Sequence, residues 1–187
     1  VYGQPIPDDC SLLFILAPGT PLSEEELKAV DDYLAAGGSA IMTFDPDAKF
    51  DLGMLEGRLG VHYDPQVVVD DKDFMRRTGS ITDRALVLTN RFSSHQSITT
   101  LSNSAANAAI VFPKTGSFDD VKITRGRGKT THVITTMSTG FRDTPNPEGK
   151  LNFRFDSSVD KRQFLKLATI VEDDSAVAEG AQAGSEN

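Results

Sequence analysis

At 187 residues with 39% hydrophobic side chains, the chain is large enough to bury one core without covalent staples, so a single domain is expected. Its 19 basic and 27 acidic residues leave a formal charge of −8, which disfavours a general nucleic-acid or anionic-membrane role, because both need a basic footprint. Cys10 is the only cysteine, which excludes an intramolecular disulfide and a cysteine metal site, and no apolar run reaches the ~18 residues needed for this segment itself to insert into a membrane.

The strongest local signal runs from Ile6 to Pro46. Ser11 to Ala17 (SLLFILA) is a nearly continuous apolar run, the pattern of a strand covered on both faces of a parallel sheet. After Pro18-Gly19-Thr20-Pro21, Ser23 stands three residues before Glu26 as a capping box, with Leu22 and Leu27 at the staple positions. Leu27, Val30 and Leu34 then recur at helical spacing up to Ala36, and Gly37-Gly38 supplies the stop. Ser39 to Phe44 reads as a second buried strand ended by Asp45-Pro46-Asp47. A right-handed crossover makes this a parallel βαβ unit and sends the loops starting at Pro18 and Asp45 to the same carboxyl edge, where a ligand crevice is expected.

Downstream, Asp51 to Leu59 predicts a short helix with Leu52, Leu55 and Leu59 inward, and Gln66 to Val69 a short β-branched strand. Ala85 to Thr89 and Ala108 to Phe112 read as strands. The Ser-, Thr- and Asn-rich stretch between them holds at most a helical turn around Ile98 to Leu101. Val121 to Arg125 and Thr131 to Met137 predict a β-hairpin turning at Gly126-Arg127-Gly128. Phe153 and Phe155 alternate with polar residues as in a short edge strand. Lys161 to Glu172 is ambiguous: Phe164, Leu167, Ile170 and Val171 fit a helix that begins near Asp160 and passes into extended chain. Residues 1–172 thus form one domain, followed by a tail, 173–187, whose acidic and small residues predict disorder.

The segment PLSEEELKAVDDYLAAGG, its two flanking apolar strands and the closing Asp45-Pro46 resemble the extracytoplasmic domain of GldG-like auxiliary components of gliding-motility ABC transport systems. That family is in turn similar to a domain of intraflagellar transport subunits. LGVHYDPQVVVD (Leu59 to Asp70) is similar to the family's helix end, glycine turn and strand. HQSITTL (His95 to Leu101) resembles its His-Pro-Ile-Thr segment with the proline absent and one residue added, and the family layout prefers a strand over 161–172. The resemblance implies an α/β fold, a flavodoxin-like or class I glutamine amidotransferase-like three-layer sandwich whose mostly parallel sheet carries an added β-hairpin. It also implies a non-catalytic role at the extracytoplasmic (periplasmic) face. The partners would be ABC transporter permease or ATPase subunits, or another auxiliary protein. The start at Val1, running straight into Tyr2-Gly3-Gln4-Pro5, reads as a piece of a longer chain, and the resemblance implies a preceding strand, a helix and membrane anchors outside it.

Among candidate sites, Pro18, Gly19, Thr20, Asp45 and Asp47 stand first, because the expected topology brings them to one rim. Carboxylates and a hydroxyl there suit an oligosaccharide or a peptide held by directed hydrogen bonds; the plainer reading is that both stretches merely turn the chain. Cys10 precedes its strand, whereas a nucleophile elbow follows one. His62, His95 and His132 lack metal spacing. Arg125, Arg127 and Lys129, with Lys122 and Arg142 near, form a basic hairpin tip without interleaved aromatics, which reads as a solvated turn or a dock for an acidic partner. No phosphate-binding loop is present, so neither ATP hydrolysis nor a cofactor is expected. The alternatives are a hydrolase or amidotransferase-like enzyme with its site at the Pro18/Asp45 crevice, or a purely structural assembly module.

Overall fold

A computed structural model describes residues 5–173. The expected disorder of 174–187 and the reading of Tyr2-Gly3-Gln4 lie outside the described residues.

The βαβ unit forms as its local chemistry dictates. Strand β1 (Leu13–Leu16) pairs in parallel with β2 (Ala40–Thr43), Leu13 opposite Ala40 and Leu16 opposite Thr43. Helix α1 (Glu24–Ala35) starts at a complete capping box: the Glu26 N–H donates to Ser23 Oγ at 3.2 Å and the Ser23 N–H to Glu26 Oε2 at 2.9 Å. Gly37, at φ 91°, ends it. Leu27 and Val30 bury against Ile15, Phe50, Leu52, Leu55 and Val61 in the first core cluster. Only one face of the strand pair is covered. Leu12, Phe14, Leu16 and Ile41 are exposed on the other, so the expectation of a strand buried on both faces fails for β1.

The rest of the chain departs from the expected class. A 3₁₀ turn (Gly53–Leu55) and α2 (Glu56–Leu59) lead into β3 (Val61–Asp64), β4 (Val68–Asp70), β5 (Leu86–Thr89) and β6 (Arg91–Phe92). After α3 (Thr99–Asn103) come β7 (Ile110–Pro113), β8 (Ser117–Asp120), β9 (Lys129–Thr135), β10 (Gly140–Arg142) and β11 (Lys166–Glu172). The largest sheet is five-stranded, in the order β3-β8-β11-β9-β6, and antiparallel throughout; β5–β7 and β4–β10 form two further antiparallel pairs. A mostly parallel, flavodoxin-like or amidotransferase-like sandwich is therefore not what this sequence builds. A parallel pair needs a crossover of about a dozen residues or more, usually helical, and α1 is the only described helix of that length.

The expected hairpin is also replaced. Val121 to Arg125 is not a strand: the Val121 N–H donates to Gly60 O at 3.1 Å, and the Thr124 and Arg125 N–H groups both donate to Gly57 O. Gly60 permits this approach, because its φ is 70° and a Cβ there would lie 2.7 Å from both Ile123 Cγ1 and Thr130 Oγ1. β9 pairs instead with β11, which separates it from β8. β11 replaces the helix expected near Asp160, since consecutive β-branched Thr169, Ile170 and Val171 favour the extended form. Phe153 and Phe155 form no edge strand either. Phe153 sits at φ 53°, and both rings pack on the second core cluster of Val67, Val69, Ala85 and Phe141. Val68 points the other way, into a third cluster with Val87, Leu165 and Leu167, so β4 is buried on both faces.

Candidate functional site

The parallel β1–β2 pair sends the loops after both strands to one end, with the Ala17 N–H donating to Thr43 O at 3.0 Å. Gly19 and Thr20 are exposed and Pro18 is half-buried. The positive φ of that turn falls on Ala17, at 41°, rather than on Gly19. Asp45 closes its own turn, its Oδ1 accepting the Asp47 N–H at 2.8 Å. Asp47 faces outward and pairs through Oδ2 with Lys114 Nζ, which tethers the β2 exit to the segment after β7.

Beside this rim a groove of about 930 Å³ runs along the free edge of β2. Its far side is formed by Phe112 to Gly116 and by β11, which pairs with β8 at Lys166 opposite Phe118. Its floor is aromatic. The Phe44 and Tyr63 rings stack at 4.6 Å between centroids, and Phe118 meets Phe44 edge-on at 5.3 Å. Tyr63 is 4% exposed, yet its hydroxyl has no hydrogen-bond partner among the described residues. Burial pushes the phenol up to about 12; the nearby Gly116 N–H pulls the other way without aligning for a hydrogen bond, and Asp45, Asp64 and Asp47 add to the rise. No short-range pattern marks the groove, because its walls come from four separated stretches of chain. The one hint is a Phe or Tyr at or near the end of three short strands.

The other candidates fall elsewhere. The basic tip is dispersed: Arg125 pairs with Asp31 of α1, whose Oδ1 also accepts from Arg58 Nε at 2.7 Å, and Arg142 reaches Asp64 and Asp119. Burial would raise Asp31, but the two guanidinium groups hold its carboxyl below the usual range. Cys10 is half-buried ahead of β1, its carbonyl accepting from Tyr33 Oη at 3.1 Å. His62 meets Glu56 at 2.6 Å, while His95 caps a 3₁₀ turn through Nδ1 and faces Glu172 through Nε2 at 3.3 Å. His132 stands between Asp120 (2.6 Å from Nε2) and Thr169 (2.9 Å from Nδ1). That line of carboxylate, imidazole and hydroxyl lies mid-strand on β9 and β11, not on the sharp turn that exposes a nucleophile, and Asp120 is shared with Lys166.

No curated protein matches the sequence. Among solved structures, the fold is similar to the mmIFT52 N-terminal domain, with a TM-score of 0.52 at 17% identity over 73% of this chain and 60% of that one. The chain thus spans less than two thirds of that domain, and the likeness is one of fold. A family described as ABC-type uncharacterized transport system matches residues 2–145, most of the chain. The chain belongs to that family of auxiliary components of ABC-type transport systems.

Proposed function

We propose that the chain is a non-catalytic binding module of its transport system. It engages a permease or ATPase subunit, or another auxiliary protein, through the rim of Pro18, Gly19, Thr20, Asp45 and Asp47, on the extracytoplasmic side of the membrane. The observation that carries this reading is the parallel β1–β2 pair, which opens two polar loops at one end beside a concave apolar groove. Family membership supports the transport context, and the sequence resemblance supports the location.

The test is co-purification of the transporter subunits with the wild-type chain and with the Asp45→Asn/Asp47→Asn double variant. Asp47 and Lys114 are 68% and 49% exposed at their side chains, so losing their pair costs at most about 1 kcal/mol of stability. Recovery should drop by at least about half at unchanged thermal midpoint, a drop that less than 1 kcal/mol of binding energy already produces. Undiminished recovery would sink the assignment of the rim.

A further inference from the structure

A second cavity, of about 450 Å³, lies in the antiparallel body, and none of Pro18, Gly19, Thr20, Asp45 or Asp47 lines it. Three stretches of chain wall it, each fixed by hydrogen bonds. The first is the loop from Arg77 to Thr82. The buried carboxylate of Asp83 accepts the Arg77, Thr78 and Gly79 N–H groups through Oδ2 and the Thr78 hydroxyl through Oδ1, at 2.8 to 2.9 Å. The second is Pro113-Lys114 at the end of β7, where Pro113 stands opposite Leu86 and the Lys114 N–H donates to Ala85 O at 2.8 Å. The third carries Leu151 and Phe153. Buried Asp143 accepts the Phe153 N–H at 2.8 Å, and Arg84 Nη1 donates to Phe153 O at 2.9 Å.

Two features set this cavity apart from an ordinary surface dent. Lys114 and Phe153, at φ 44° and 53°, are two of the three non-glycine residues with positive φ among the described residues. Left-handed backbone at side chains of that size is costly, persists where the surroundings over-determine it, and gathers at ligand sites. The other feature is charge. In a chain of formal charge −8, the ionisable side chains of the lining are Arg77, Lys114 and Asp83. Asp83 is occupied by the four donors of its own loop. Lys114 pairs with Asp47, outside the lining, and an ammonium has three protons to donate. Arg77 is exposed and its guanidinium has no acidic partner among the described residues, so it is the unbalanced charge of the cavity.

Around these cations the lining is apolar: Ala85, Leu86, Pro113, Leu151 and Phe153. A phosphate would draw on a nest of backbone N–H groups, but those of residues 77–79 are committed to Asp83. A singly charged carboxylate needs only the fork of one guanidinium, with an ammonium in support. We infer that this cavity binds a small carboxylate with a compact apolar body, its charged end held by Arg77 and Lys114 and its apolar part laid against Leu86, Leu151 and Phe153. A free organic acid and the carboxyl terminus of a peptide share that chemistry.

The probe is 3-phenylpropionate, titrated into the whole chain and followed by the amide NMR signals of Thr78, Lys114 and Phe153, with 3-phenylpropionamide as its uncharged counterpart. The acid should move all three signals, and the amide should bind at least about tenfold more weakly, the loss of one charge-assisted contact. Arg77→Gln should weaken the acid at least about fivefold at unchanged thermal midpoint, because the exposed guanidinium holds no other element in place. Arg127→Gln, which removes an exposed cation outside the cavity, should change neither readout. N-acetylglycylphenylalanine presents the same two groups at a peptide end. Binding tighter than that of 3-phenylpropionate assigns the cavity to carboxyl termini of partner chains, and weaker binding assigns it to free acids. Absence of binding, or signals that move only elsewhere, overturns the inference. Equal binding of the amide overturns the charge assignment, and equal weakening by Arg77→Gln and Arg127→Gln reduces the effect to general attraction and overturns the site.

Discussion

Asp31 in the βαβ unit and the pair Asp70 and Asp143 in the antiparallel body after Val61 bury charge in opposite ways. Asp83 in that same body, which burial would raise, is nevertheless lowered to about 2 by the Thr78, Arg77 and Gly79 N–H groups. In the unit, the buried carboxylate of Asp31 meets two guanidinium groups, from Arg58 and Arg125. In the body, Asp70 and Asp143 are fully buried and are held mainly by backbone N–H groups: those of Lys72 and Asp73 reach Asp70, and that of Phe153 reaches Asp143 at 2.8 Å. Burial raises both of these carboxyls. Thr139 adds a geometric argument. Its hydroxyl stands 2.9 Å from both Asp70 and Asp73, and a single hydroxyl proton serves only one of them. The second contact becomes a hydrogen bond if the buried carboxyl keeps its proton. Asp31 therefore needs its charge, whereas Asp70 and Asp143 are strained by theirs.

The sharpest contrast comes from apolar truncation. Phe141 is fully buried against Phe155, and Phe141→Ala should cost about 4 kcal/mol in denaturant unfolding. A cost under about 1 kcal/mol would show that Phe141 is not packed against Phe155 and the second core cluster as described. Asp31→Ala should cost about 3 kcal/mol in the same assay, because it takes from Arg58, 13% exposed, its closest carboxylate and leaves only the more distant Asp173 at 4.0 Å.

The pH dependence separates the two kinds of carboxylate directly, the arginine-paired ones of both regions from Asp70 and Asp143. Asp31 and Asp71, lowered by their arginine partners, contribute stability that is present above the unfolded value of 3.8 and lost as pH falls through their folded values. Asp70 and Asp143, raised by burial, contribute most below 3.8, and that contribution is lost as pH rises through their folded values. Asp143→Asn should flatten the loss of stability as pH rises above 3.8 and leave unchanged the loss as pH falls below it. Flattening of the loss below 3.8 instead would mean that the two sets of carboxylates had been assigned the wrong way round.

Smaller effects belong to the unit. Ser23→Ala removes half of the capping box and should cost about 1 kcal/mol by thermal melting. Leu16→Thr, at a side chain 64% exposed, should shift stability by less than about 0.5 kcal/mol; a larger loss would show that the bare face of β1 is packed in solution.

The same contrast explains what the sequence discloses. The unit was legible because its determinants lie within a few residues of each other: the Ser23–Glu26 box, the Leu27–Val30 stripe and Gly37 act locally. The body was not, because its pairings are set by distant residues. Nothing near Val121 announces that Gly57 and Gly60 will capture its backbone, and nothing near Lys166 announces that β11 will enter between β8 and β9. The extended run over 166–172 followed the family layout, while helical periodicity misread it. The rim residues could be named from topology alone, but the groove beside them needed Lys114, Tyr63 and β11 brought together from across the chain.

The bare row of Leu12, Phe14, Leu16 and Ile41 also bears on bench practice. Solvatochromic dyes such as ANS light up on accessible nonpolar surface, normally the mark of a molten state. A properly folded sample of this protein should therefore fluoresce with such a dye before any heating, and its melting is better followed by circular dichroism or calorimetry.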